Sequence, residues 1–121
     1  MESSPFGYSL SSLVKTVDGG QMLSIYAVDN DRAVIATLDI HGWEREGGWI
    51  CWLFVEDKWR RMGVAKTLLL YAEKLAKEAS KPALALTVFT ENAAARKLYE
   101  SIGYVVCWTT EKDTIHMSKH L

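Results

Sequence analysis

The sequence predicts a mixed α/β domain organised on one sheet, and three features carry that prediction. Short apolar runs bounded by Gly, Asn, Asp or Pro read as strands. One long stretch with helical periodicity separates two of those runs, the pattern of a βαβ unit. The run WICWLFV, Trp49 to Val55, lacks polar alternation and reads as a central strand covered on both faces.

With 121 residues, 49% of them hydrophobic, the chain has enough apolar material for a single domain over residues 1–121. The net charge of −1 provides no global field for nucleic acid, so attraction for a polyanion has to come from local clusters such as Lys58, Arg60, Arg61 and Lys66. The opening MESSPFGYSLSS has no basic segment followed by an apolar stretch, and no apolar run is long enough to span a bilayer. A soluble, cytoplasmic protein is expected. Cys51 and Cys107 lie in strand-like runs without CxxC spacing, which predicts buried, reduced thiols.

Along the chain, YSLSSLVKTV (Tyr8 to Val17) is a first strand and Asp18-Gly19-Gly20 a tight reversal into a second, Met22 to Val28. Asp29-Asn30-Asp31 turns the chain into AVIATLDI, Ala33 to Ile40, completing an antiparallel meander. The loop HGWEREGG leads into Trp49 to Val55. Beyond it, Val64, Leu68, Ala72, Leu75, Ala76 and Ala79 recur at helical spacing, with Glu73 and Lys77 paired on the far side, until Lys81-Pro82 ends the helix. ALALTVF, Ala83 to Phe89, is the next strand, parallel to Trp49 to Val55 through a right-handed crossover. A short helix capped by Thr90 or Asn92 and stopped at Gly103 precedes a hairpin of YVVCWTT, the turn Glu111-Lys112-Asp113, and TIHMSKH.

Chemistry concentrates where the central strand gives way to the helix, at WRRMGVA, Trp59 to Ala65. Free N–H groups at a helix start, flanking guanidinium groups and a missing Cβ together make a place for an anion. Two devices are excluded by spacing. Lys66-Thr67 resembles the end of a phosphate loop, but Arg60 and Ala65 occupy its glycine positions, and only Gly63 is present of the three glycines of a dinucleotide fingerprint. What remains, Arg60-x-x-Gly63-x-Ala65, resembles the acyl-CoA-binding motif of the GNAT N-acetyltransferase superfamily. A second stretch, Asn92, Ala95, Tyr99, Gly103 and Tyr104, resembles that family's signature after the next strand. The likeness extends over roughly residues 33 to 121, with the first thirty matching less well.

The resemblance implies the GNAT fold: an antiparallel N-terminal meander, a central βαβ with splayed parallel strands, and a C-terminal hairpin. It implies acetyl-CoA as co-substrate and a primary amine, on a protein or a small molecule, as acceptor. The diphosphate would lie on Arg60, Arg61, Met62, Gly63, Val64, Ala65 and Lys66, and the pantetheine arm along Leu53, Phe54 and Val55, with Asn92 touching it. The Val55 N–H would face the thioester carbonyl, and Tyr99 would be the general acid. The base is not assigned among Asp39, His41, Glu44 and Glu46. The family's usual helices between the first two strands are absent, which implies an acetyltransferase whose acceptor groove is open or is covered by another subunit, or else a catalytically inactive acyl-CoA-binding regulator of a partner protein. Trp43, Trp49, Trp52, Trp59 and Trp108 read as core or homodimer contacts, with Trp43 alternatively shaping the acceptor pocket. His116 and His120 read as surface positions. No metal, nucleic acid or membrane partner is expected.

Overall fold

The computed structural model describes residues 2–3, 7–109 and 113–121. Among these residues there are eight strands: β1 (Glu2–Ser3), β2 (Tyr8–Val17), β3 (Gly20–Asp29), β4 (Val34–His41), β5 (Trp49–Val55), β6 (Ala83–Phe89), β7 (Val105–Thr109) and β8 (Thr114–His120). Helix α1 (Val64–Glu78) joins β5 to β6, α2 (Ala93–Ser101) joins β6 to β7, and a single 3-10 turn covers Asp57–Trp59. The strands form one sheet in the order β1-β2-β3-β4-β5-β6-β8-β7. The β5/β6 pair is parallel, as the intervening helix requires, and its neighbours β4/β5 and β6/β8 are antiparallel. Two features had no counterpart in the sequence reading, the short β1 and the 3-10 turn. The expected turn at 111–113 falls largely outside the described residues, although β7 and β8 pair antiparallel on either side of it.

Local chemistry sets the meander. Asp18 (φ 47°) and Gly19 (φ 83°) both adopt left-handed geometry, so a two-residue turn joins β2 to β3 with Val17 opposite Gly20. The next turn is held by Asp29, whose Oδ1 accepts the N–H groups of Asp31 and Ala33, both at 2.9 Å.

One face of the sheet is the core. Ile25, Leu38, Ile40, Ile50, Leu86 and Met117 lie in register across five strands, and α1 covers them with Val64, Leu68, Leu69, Ala72 and Ala76. Helix α2 packs on the same side: Lys119 Nζ of β8 donates to Glu73 Oε1 of α1 at 2.8 Å and to the Ile102 carbonyl at the end of α2 at 2.6 Å. Glu73 is thus 4% exposed, not on the solvent side with Lys77 as its i,i+4 spacing suggested.

Among the described residues no helix covers the opposite face. That corrects two expectations. The run WICWLFV is buried on one side only, with Trp49, Trp52 and Phe54 exposed, because its apolar residues on the far face meet no second layer. The thiols follow the same geometry: Cys51 is half-buried, and Cys107, on the edge strand β7, is exposed. Among the described residues no helix is long and apolar enough to cross a membrane.

Candidate functional site

β5 and β6 share only two register pairs, Trp49 with Ala85 and Ile50 with Leu86, and then diverge. The divergence starts at a β-bulge. Thr37 faces Phe54 and Asp39 faces Cys51, so Trp52 and Leu53 together oppose Leu38, and Trp52 adopts φ 54°. A left-handed indole residue is strained, and the extra residue reverses which N–H groups point to which neighbour. The Glu56 N–H donates to the Ile35 carbonyl at 2.8 Å, so by strand alternation the Val55 N–H points away from β4, into the gap beside β6. Its carbonyl points the same way and accepts Arg60 Nε at 3.0 Å.

The residues singled out from the sequence line this gap and its wide end. Leu53 and Val55 face the helices, while Phe54 projects onto the open face. Arg60 is committed locally: besides the Val55 carbonyl it pairs with Asp57 Oδ1 at 3.0 Å, clamping the loop at the end of β5. Arg61 (φ 61°) and Gly63 (φ 78°) then turn the chain sharply into α1. A Cβ on Gly63 would meet nothing within 4 Å, so open space faces its backbone. The Gly63 carbonyl takes the first helical bond, from the Thr67 N–H at 3.0 Å, with Thr67 Oγ1 at 2.9 Å. The N–H groups of Val64, Ala65 and Lys66 therefore precede any helical acceptor. Met62, Arg61 and Lys66 are exposed around them. This first turn has the donors, the positive helix end and the side-chain-free approach that a diphosphate needs.

Because β5 and β6 are parallel, Asn92, just beyond β6, lies at that same end of the sheet. The choice between Thr90 and Asn92 as cap is decided for Asn92, whose Oδ1 accepts the Ala95 N–H at 3.2 Å. Tyr99, one face further along α2, is buried edge-on against Tyr104 at 6.2 Å between ring centroids. Burial pushes its phenol pKa up.

At the opposite end of the parallel strands lies a depression of about 750 Å³, between the β2–β3 turn, the β4–β5 loop and the start of β6. Its organiser is Lys81, which the sequence reading took only as a helix stop. Its ammonium donates to the carbonyls of Trp43 (2.7 Å) and Arg45 and stands 4.4 Å from the Trp43 ring centroid. Burial pushes the Lys81 pKa down, and the Glu44 carboxylate opposes that shift. Trp43 is thereby fixed at the end remote from the α1 turn, and Glu44 is tied to the Gln21 N–H at 2.6 Å, which lowers its pKa. Neither borders the gap. Ligands of parallel sheets bind at the carboxyl ends of the strands, so the gap and the α1 turn, not that depression, are the candidate site.

On the helix-free face beside the vertex of the gap sits a cluster that sequence spacing could not reveal. His116 lies between two indoles, its ring 5.6 Å from that of Trp49 and 4.7 Å from that of Trp108, and its Nδ1 is 3.1 Å from Thr87 Oγ1. Four strands contribute one residue each. Among the described residues no group of His, Cys, Asp and Glu is arranged to hold a metal ion.

Comparison with solved structures shows the same architecture in known enzymes. PaiA N-acetyltransferase from Thermoplasma acidophilum, in complex with coenzyme A, superposes with a TM-score of 0.75 at 23% identity over 83% of this chain and 61% of that one. An acetyltransferase from Bacillus anthracis in complex with acetyl coenzyme A gives 0.72 at 24% identity, over 83% of this chain and 62% of that one. This chain therefore spans less than two thirds of either. The ribosomal-protein-S18-alanine N-acetyltransferase of Escherichia coli matches over 93% of both chains, with a TM-score of 0.79 at 19% identity. No curated protein matches the chain. The model of the acetyltransferase (GNAT) family matches residues 6–104, so the likeness begins at the first strands, earlier than the motifs alone suggested. With most of its length matched, and the gap and glycine-started helix in place, the chain belongs to the GNAT acetyltransferase family.

Proposed function

We propose that the protein is an N-acetyltransferase that uses acetyl-CoA and acetylates a primary amine. The observation that carries this reading is the bulge-driven opening between β5 and β6, whose wide end meets the first turn of α1. The coenzyme A and acetyl coenzyme A in two of the similar structures support the choice of co-substrate. Acetyl-CoA supplies an acetyl carbonyl activated as a thioester.

The chain's own groups take the remaining roles. The N–H groups of residues 62 to 66 hold the diphosphate, with the exposed Arg61 and Lys66 adding charge, while Arg60 keeps the loop in shape from beneath. Leu53 and Val55 present their backbone to the arm, whereas that of Phe54 faces Thr37 of β4, and the Val55 N–H, turned out of the β4 ladder, bonds the carbonyl oxygen as it gains charge. Asn92 spends its oxygen on the helix cap and keeps its NH2 for the arm. Tyr99, held protonated by burial, gives its proton to the departing sulfur. The helix-free face leaves the acceptor side open, which suits an amine carried on a protein chain.

Calorimetry with acetyl-CoA is the first test, and absence of binding heat removes the reading. Tyr99→Phe is expected to lower kcat on the order of 10²-fold, the usual contribution of a general acid, without changing acetyl-CoA affinity. The raised phenol pKa also sets a sign: activity should persist at pH values above the ordinary range of tyrosine ionisation, then fall as the phenol loses its proton. A binding-competent protein that labels no amine, in which Tyr99→Phe changes nothing, would instead be a non-catalytic acyl-CoA-dependent regulator.

A further inference from the structure

We infer that Phe54 and Phe89 flank the entrance for the acceptor and select its class: a primary amine on an alkyl stem, as on a lysine side chain, rather than an α-amine beside an amide or a carboxylate. The inference rests on the acetyltransferase reading and narrows its acceptor.

Register places the pair. Ile40 faces Ile50 and Thr37 faces Phe54, so four residues of β5 advance only three strand steps, the bulge absorbing the fourth. Ile50 lies opposite Leu86, and three steps along β6 from Leu86 is Phe89. The two phenylalanines therefore stand level across the gap. Ile50 and Leu86 both face the helices, and an odd number of steps brings both rings to the helix-free face. Phe54 immediately precedes Val55, whose N–H is the donor proposed for the acyl carbonyl, so the rings border that point and not the vertex of the gap at Ile50 and Leu86. The levels nearer the vertex lack a matched pair: Trp49 faces Ala85, and Cys51 stands level with Thr87.

Packing leaves one way in. On the helix side Val88 is 6% exposed, and Leu53 and Val55 pack against the core. An amine reaching the carbonyl comes from the open face, between a Phe54 that is 53% exposed and a Phe89 that is 66% exposed. Among the described residues neither ring stacks on another aromatic side chain, so both faces are free for a ligand.

Chemistry sets the class. Ring faces attract an ammonium and cover the methylenes behind it, but they offer no hydrogen bond. An α-amine carries its amide or carboxylate on the neighbouring carbon, and that group enters the space between the rings without a partner on either of them. The depression of about 600 Å³ at the carboxyl end of β6, lined by Phe89, Glu91, Asn92 and Asp113, adds two exposed carboxylates beside the pair. They favour a cation and oppose a substrate carboxylate.

The test measures kcat/KM for n-butylamine, Nα-acetyl-lysine methyl ester and a hexapeptide with a free N-terminal alanine, alongside calorimetry of acetyl-CoA binding. The wild-type protein should favour the two alkyl amines over the hexapeptide by about tenfold or more. Phe54→Ala and Phe89→Ala should each raise KM for the alkyl amines about tenfold, change that for the hexapeptide less than about twofold, and leave acetyl-CoA affinity unchanged. Phe89→Tyr, which keeps the ring, should retain the wild-type preference. The different basicities of the amines cancel in each comparison of variant with wild type. A hexapeptide used as well as the alkyl amines, or a preference unmoved in both alanine variants, overturns the inference while acetyl transfer stands. Failure to bind acetyl-CoA, or binding without transfer to any of the three amines, fails the acetyltransferase reading and the inference with it.

Discussion

Gly63 ties backbone geometry to ligand access within a single residue. Its φ of 78° is left-handed, and a side chain there costs about 1–2 kcal/mol in backbone strain even though no protein atom blocks it. The same methyl would project into the open space proposed here for a diphosphate. Gly63→Ala should therefore show two separable effects: a modest loss of stability in a urea melt and a coenzyme A affinity weaker by about tenfold or more, equivalent to about 1.4 kcal/mol. A melt that shifts while calorimetric affinity holds would put the ligand elsewhere. Gly63 was legible in the sequence because glycine at a helix start has few other uses. Trp52, at φ 54°, was not, because nothing in WICWLFV marks which residue bulges until β4 supplies the register.

The β4–β5 loop shows how an element with no regular structure is held in one conformation. Lys81 fills it with an ammonium bonded to main-chain carbonyls and covered by the Trp43 indole. Lys81→Met preserves the volume but strands those carbonyls, at about 1–3 kcal/mol each when no water replaces the donor. Chemical denaturation should register a loss in that range, and amide exchange should rise across residues 43–47. A neutral result would mean that water satisfies the loop. For β5 the same lesson concerns faces. Its unbroken apolar run read as doubly covered, whereas β5 is buried on the helix side and leaves its aromatic residues on the other. Apolar composition reports a tendency to be covered, and only the count of packed layers says whether anything does the covering.

Across the whole molecule, α1, the end of α2 and β8 meet at Lys119, which bridges Glu73 and the Ile102 carbonyl. Removing one partner leaves a carboxylate that is 4% exposed without its cation. Lys119→Met should cost about 3–5 kcal/mol, and adding Glu73→Leu should recover much of it, since the desolvation cost of the ion leaves with the ion. Equal stabilities of the single and double variants in urea would show that the pair is not coupled. Helical periodicity placed Glu73 beside Lys77; the tertiary partner 46 residues away wins because the opposite helix face is the one that the sheet buries.

Local spacing was enough to give the order of elements, the parallel crossover at α1, the sharp glycine-started turn at Arg60–Lys66 proposed here for an anion, and the family, because each depends on residues close together in the chain. Tertiary structure decided which sheet face is bare, which N–H groups the bulge turns into the gap, and that Trp49, Thr87, Trp108 and His116 meet. Those outcomes depend on register between strands far apart in the chain, and register is set by packing that no local stretch encodes.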